Sequence, residues 1–228
     1  MVYVMSDLHG SYEKYMKMLE KINFGKSDTL YILGDVVDRG AKSMDILFDM
    51  MARQNVNPLF GNHEYMAYSV LKNLTKELTE ENYEELVTGY QNWMLNGGIS
   101  TLQEFQKLSA GEKEDILEYI SNFELYKVIK VGGNNFVLVH AGLGNFSPDK
   151  ALEDYSLHDI IWERCDYDKV YYKDKYLVTG HTPTFYIADE YKGKIYRKNN
   201  HIAIDCGASF ENNLGAICLD TFEEFYVG

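Results

Sequence analysis

The sequence predicts an α/β fold, shading into α+β towards its C-terminus. Three observations predict it. Residues 2–60 alternate apolar, strand-like runs with amphipathic helical stretches. Five apolar runs end in residue types that bind metals. Short β-like runs separated by glycine and asparagine fill residues 194–227.

The elements follow in chain order. Residues 2–6 form an apolar run that leads into Asp7-Leu8-His9. Ser11 then stands where a helix cap belongs, with Tyr12, Tyr15, Met16 and Leu19 at helical spacing behind it. Residues 30–34 lead into Asp35-Val36-Val37-Asp38-Arg39-Gly40, and 43–53 make a second helix with Met44, Leu47, Phe48 and Met51 on one face. Residues 56–61 lead into Asn62-His63-Glu64, where the Glu64 carboxylate suits the start of a helix. Strands alternating with helices of this length imply parallel pairing through right-handed crossovers. Residues from about 65 to 122 read as a helical insertion beside the strand ends, placed to shape access to a site or to act as a packing layer. Within it Leu86, Tyr90, Trp93 and Met94 share a face, Gly97-Gly98 stop that helix, and Ser109 with Glu112 fits a capping box. Residues 136–139 then lead into His140, and 176–180 into His181. The runs at 194–196, 201–205, 214–219 and 222–227 suggest a second, largely antiparallel sheet packed on the first. No linker or repeat divides the chain, so 1–228 reads as a single domain.

Bulk properties narrow the function. A hydrophobic content of 46% and a charged content of 25% describe an ordinary globule. A net charge of -13 argues against nucleic-acid or acidic-membrane binding driven by charge. No apolar run approaches the ~18 residues of a membrane span. The N-terminus lacks the pattern of a signal peptide, which points to the cytoplasm. Cys165, Cys206 and Cys218 form neither a disulfide framework nor a C-x-x-C pair and read as reduced thiols. His158 and His201 fall outside the motifs and read as structural. The 19 tyrosines read mostly as amphipathic fillers, some of them rimming a cleft.

In an open α/β sheet, ligands collect beyond the carboxyl ends of the strands, so one rule gathers residues far apart in sequence. Asp7 and His9, two apart at a strand end, can reach one ion. Asp35 offers a carboxylate able to bridge two ions, and Asn62, His140 and His181 can complete a second shell. Carboxylate, imidazole and amide oxygen together suit a pair of divalent first-row metals.

The set Asp7-x-His9, Gly34-Asp35-x-x-Asp38-Arg39-Gly40, Gly61-Asn62-His63-Glu64, His140-Ala141-Gly142 and Gly180-His181 resembles the calcineurin-like metallophosphoesterases. It is more narrowly similar to the bacterial and bacteriophage form of their phosphoprotein phosphatase branch. The resemblance implies a β-sandwich of two mixed sheets flanked by helices. It also implies a dinuclear metal centre, with manganese expected and iron or zinc as alternatives, and hydrolysis of phosphate esters by a hydroxide made at that centre. By position, Asp7, His9 and Asp35 match the first metal's ligands, and Asp35, Asn62, His140 and His181 the second's. His63 matches the general acid and Asp38 its orienting carboxylate. Arg39 matches a phosphate-binding arginine, the segment 159–164 looks like one that carries a second in Arg164, and Asn62 joins them at the substrate.

The substrate expected from this resemblance is a serine/threonine phosphoprotein. The alternative is a small phosphoester or nucleotide, with the protein acting as a symmetrical dinucleoside tetraphosphatase or another nucleotide phosphohydrolase. Phe60 stands where the protein phosphatases commonly carry arginine, whereas Asp38-Arg39-Gly40 looks like theirs. A non-catalytic metal-binding module is the third reading, and the complete acid, metal and phosphate set argues against it.

Overall fold

The structure, a computed structural model, describes residues 1–74 and 80–228. The chain runs β1 (Val2–Met5), α1 (Tyr12–Lys21), β2 (Thr29–Ile32), α2 (Ser43–Met51), β3 (Val56–Pro58), α3 (Asn62–Leu71), α4 (Glu80–Leu95), α5 (Ile99–Lys107) and α6 (Ala110–Ser121). It continues as β4 (Tyr126–Val131), β5 (Asn134–Val139), α7 (Leu157–Ile161), β6 (Tyr176–Thr179), β7 (Tyr196–Lys198), β8 (His201–Ala203), β9 (Leu214–Cys218) and β10 (Glu224–Val227).

Among the described residues two mixed five-stranded sheets result, in the orders β10-β9-β1-β2-β3 and β4-β5-β6-β8-β7. β1, β2 and β3 pair in parallel, as their alternation with α1 and α2 predicts. The last third departs from expectation. β9 and β10 do not build a second antiparallel sheet but extend the first, β9 lying antiparallel to β1. The centre of the second sheet is parallel, β5 with β6 and β6 with β8, and only its edges are antiparallel. Apolar alternation marks a strand but does not name its neighbour, and β1 had one edge open once β2 held the other. The expected strand at 194–196 forms two residues later, because Lys194 N–H closes a turn on the Tyr191 carbonyl.

Side-chain alternation builds the core. Val4 of the first sheet and Leu33, just beyond β2, meet Phe136, Leu138, Val178 and Ile202 of the second in the seam between them. Their neighbours Tyr3, Met5, Val137, Val139 and Leu177 belong to the larger cluster that includes Met18 of α1 and Leu47 of α2. Each buried side chain of this size contributes roughly 1.5–3 kcal/mol, and both faces of these central strands are buried.

The expected helical stretch holds α4, α5, α6 and most of α3; its residues 75–79 lie outside the described ones. Ser109 caps α6 by accepting from Glu112 N–H (3.3 Å), and Glu112 accepts from Ser109 N–H (2.8 Å). Ser11 occupies the cap position of α1, but its side chain makes no capping bond. Of the expected α4 face, Trp93 is fully buried, whereas Tyr90 is exposed. Among the described residues no helix is long and apolar enough to cross a membrane.

Candidate metal centre and phosphate cleft

The loops beyond β1, β2, β3, β5 and β6 converge at one end of the sandwich. They are tied to one another through the backbone. His9 N–H donates to the Asp35 carbonyl (2.9 Å), Gly40 N–H to the His9 carbonyl (3.1 Å), and Gly180 N–H to the His140 carbonyl (2.7 Å). Such tight packing forces left-handed backbone. Asp7, His9, Asp35, Asp38, Arg39 and His181 all have φ between 42° and 73°. That conformation is uncommon for residues with a Cβ, costs energy, and clusters at functional sites. Gly34 (φ 81°) is required where it stands, since a Cβ there would lie 2.6 Å from the Gly61 backbone and 2.9 Å from His140 Nδ1.

Asp35 sits at the centre, buried, with its two oxygens facing different imidazoles. Oδ1 lies 3.3 Å from His140 Nε2; Oδ2 lies 3.7 Å from His9 Nε2 and 3.9 Å from His63 Nε2. Two donor clusters share this carboxylate, His9–Asp35–His63 and Asp35–His140–His181, each with its ligand atoms within 4.8 Å of one another. Asn62 Oδ1 joins the second, 2.9 Å from His140 Nε2 and 3.0 Å from His181 Nδ1. Asp7 belongs to neither cluster. Its carboxylate accepts from His181 N–H (3.0 and 3.2 Å) and from the Ser6 hydroxyl. His63, expected as an acid rather than a ligand, stands beside His9 instead.

The site is suited to cations. His9 Nδ1–H donates to the Val37 carbonyl (2.9 Å) and His140 Nδ1–H to the Leu33 carbonyl (2.5 Å). Each bond orients its ring with Nε2 towards Asp35, which is how metal-binding imidazoles are usually held. Burial holds His9 and His181 down to about 3, in the neutral form that ligates. Burial also pushes His140 down, but the Asp35 and Asp7 carboxylates more than offset it and hold it near 10. Asp7, Asp35 and Asp205 are nearly inaccessible to solvent. So dense a buried negative charge needs a proton or a cation close by. A carboxylate, imidazole and amide donor set of this kind fits divalent first-row ions.

The acid–base pair is close-packed. His63 Nδ1 lies 2.7 Å from Asp38 Oδ2. Burial pushes His63 down, and Asp35 and Asp38 outweigh it, so the imidazole titrates above its ordinary value. Trp93 Nε1–H donates to both oxygens of Asp38 (3.0 and 2.9 Å), and Asp38 N–H donates to Thr101 Oγ1 (2.8 Å). The helical stretch thus reaches the site through Trp93, Thr101 and the Gly97 carbonyl, which accepts from Arg39 N–H (3.0 Å).

Arg39 and Arg164 line the same cleft of about 380 Å³, with Asn62, His63 and His181 on its floor. Arg39 donates to His9 Nε2 (2.8 Å) and Ser209 Oγ (3.2 Å), and its other terminal nitrogen lies 3.2 Å from His63 Nε2. Glu163 pairs with His158 (3.5 Å) rather than with Arg164. Phe60 is buried edge-on against Tyr65 and Phe123. Glu64 does more than open α3. Its Oε2 accepts from Asp35 N–H (2.8 Å) and Gly61 N–H (3.0 Å), and Oε1 from Val36 N–H (2.7 Å) and Val37 N–H (3.2 Å). Burial and the Asp35 charge push Glu64 up to about 7, against these donors, which favour its anion.

Thr101 and Ser6 carry no sequence motif that points to the site, Trp93 is marked only as part of a helix face, and Asp205 stands outside the five motifs. Asp205 lies beyond β8, where burial and Asp7 raise it well above the ordinary range. The apolar run 202–204 ending in Asp205-Cys206-Gly207 carries the same strand-end signal as the other five.

A family model described as calcineurin-like phosphoesterase matches residues 1–211. The chain belongs to that family. Divalent metal ions are implied by the family and accommodated by the donor clusters. Among relatives, a symmetrical bis(5'-nucleosyl)-tetraphosphatase of Acidovorax ebreus is 27% identical over 62% of this chain and 44% of its own length. A similar protein of Buchnera aphidicola is 35% identical over 35% of this chain and 31% of its own. The chain thus spans less than half the length of these symmetrical relatives. An asymmetrical bis(5'-nucleosyl)-tetraphosphatase of Bacillus velezensis is 26% identical over 92% of this chain and 86% of its own length. The fold is shared with a candidate diadenosine tetraphosphatase (TM-score 0.70, 17% identity, 99% of this chain and 92% of the other). It is shared also with a protein serine/threonine phosphatase from Saccharomyces cerevisiae (TM-score 0.62, 15% identity, 100% and 80%).

Proposed function

We propose that this calcineurin-like phosphoesterase hydrolyses dinucleoside polyphosphates, cleaving a phosphoanhydride with water. The observation that carries the substrate class is the nearly end-to-end likeness to an asymmetrical bis(5'-nucleosyl)-tetraphosphatase. Phe60 supports it, since the position that would carry a cation in a protein phosphatase is packed into an aromatic cluster. The phosphoprotein reading retains only the Asp38-Arg39-Gly40 element in its favour.

In this reading Asp7, His9, Asp35, Asn62, His140 and His181 would hold two divalent ions, manganese by expectation and iron or zinc otherwise. Bound there, such ions supply Lewis acidity and a water activated near neutral pH. The protein's own groups do the rest. Arg39 turns its fork from the imidazoles of His9 and His63 onto phosphate oxygens, and Arg164, which lines the same cleft, joins it there. Planar guanidinium matches two such oxygens and stabilises the charge that gathers on them. His63 gives its Nε2 proton to the departing oxygen, and Asp38 stabilises the imidazolium and keeps the ring aimed. Trp93 and Thr101 hold Asp38 in turn. The buried, unpaired cysteines accord with a cytoplasmic setting.

The test is a substrate panel with purified protein and manganese: diadenosine tetraphosphate, a phosphothreonine peptide and an aryl phosphate, each with and without chelator. Chelator-sensitive cleavage of the dinucleotide, faster than release of phosphate from the peptide, is the expected result. Two molecules of adenosine diphosphate would mark a central cut, and mono- and triphosphate an off-centre one. Preference for the peptide would replace this reading with the phosphoprotein one.

A further inference from the structure

Two aromatic side chains rim the cleft and have no role in the chemistry above. Tyr186 is 62% exposed and Phe210 46% exposed, and both line the cleft that holds Arg39 and Arg164. Single exposed aromatics are ordinary. These two are built. Phe185 packs against both, its ring 4.5 Å from that of Tyr186 and 5.7 Å from that of Phe210. The loop that presents Phe210 is stapled by Lys14, whose Nζ donates to the Ala208 carbonyl (3.0 Å) and the Asn212 carbonyl (2.6 Å). Its turn also depends on Gly207 (φ 81°), where a Cβ would come within 2.9 Å of Phe185 Cε1. Each ring stands next to a guanidinium, Arg39 being 5.5 Å from Phe210 and Arg164 6.0 Å from Tyr186.

We propose that Tyr186 and Phe210 form a stacking clamp for the nucleobase of the substrate, positioned while its phosphates lie on Arg39 and Arg164. The clamp rests on the nucleotide reading of the site and adds its specificity element. The argument is one of matched chemistry. A 5'-nucleotide carries an anion and a flat aromatic system, separated by a ribose. The cleft offers two guanidiniums with an exposed aromatic ring beside each. Stacking tolerates any base, because every base has a π-face, so the clamp selects for the presence of a base more than for its identity. An aliphatic phosphopeptide side chain has nothing to place there.

The test compares two non-hydrolysable probes by calorimetry on the manganese-loaded protein: α,β-methylene adenosine diphosphate and its base-free counterpart, ribose 5-(α,β-methylene)diphosphate. Wild type is expected to prefer the nucleotide by about tenfold or more, the value of one stacked base. In the Tyr186→Leu/Phe210→Leu double variant the ratio of the two dissociation constants should fall towards 1. The Tyr186→Trp/Phe210→Trp variant should keep it. Should the double variant fail to fold, Tyr186→Leu alone, at the more exposed position, should still lower the ratio. Equal affinities in wild type, or an unchanged ratio in the leucine variants, overturns the clamp. A preserved ratio without hydrolysis of diadenosine tetraphosphate would sink the substrate reading and leave the clamp standing; hydrolysis without a base preference would do the reverse.

Discussion

Replacing His63 with asparagine is expected to lower turnover on an alkyl phosphate by about 10²–10⁴-fold, the usual worth of a positioned proton donor. The effect should depend on the leaving group. A serine-type alkoxide is strongly basic and cannot depart unprotonated. A nucleotide phosphate leaving from an anhydride is far less basic and needs less help. Turnover of the His63→Asn variant should therefore fall most on alkyl esters, less on aryl phosphates, and least on diadenosine tetraphosphate. Asparagine preserves much of the shape beside Asp38, and His63 is one of several donors around Asp35, so bound metal measured by mass spectrometry should remain. An equal loss on all three substrates, accompanied by loss of metal, would make His63 a ligand rather than an acid. The close approach of its Nε2 to Asp35 Oδ2 (3.9 Å) makes that outcome worth measuring.

Replacing Glu64 with alanine is expected to produce the largest loss of stability from one substitution. Its two oxygens accept four backbone N–H groups, those of Asp35, Val36, Val37 and Gly61. These groups belong to the loop that carries Asp35 and to the entry of α3, and no strand or helix satisfies them. Each buried donor left without a partner costs about 1–3 kcal/mol. The sum is on the order of 4 kcal/mol or more, a large part of the 5–15 kcal/mol that separates folded from unfolded chains. For a chain of this size the melting temperature of the metal-free protein should fall by roughly 10 °C or more. Glu64→Gln should fall between, because its amide retains one acceptor oxygen but turns an NH₂ towards the remaining donors. A melting temperature within about 2 °C of wild type for the alanine variant would show that the loop finds other partners.

Much of this site was legible because ligand-bearing residues follow strand ends. Asp35, Asn62, His140 and His181 were each marked by an apolar run stopping at a polar residue, and the fold brings all four together. Contacts made across the fold were not legible. Nothing local distinguishes Trp93 from a core aromatic; its bond to Asp38 exists because α4 packs over a loop 55 positions earlier. Glu64 was read as a helix opener, which it is, but its larger task depends on a loop it meets only in three dimensions. The assignment of β9 and β10 to the first sheet was hidden for a similar reason, since alternation encodes a face and not a neighbour. Left-handed backbone at Asp7, His9, Asp35 and His181 has no sequence mark beyond the tolerance of aspartate and histidine for it.

The most direct measurement is metal stoichiometry in wild type and in Asp35→Asn, by mass spectrometry after loading with manganese and gel filtration. Both donor clusters share the Asp35 carboxylate, so wild type should carry two ions per chain, and the single change should weaken retention of both while circular dichroism stays native. A folded Asp35→Asn protein that keeps two ions, or a wild type that retains none and still cleaves phosphoesters in chelator, would contradict the account.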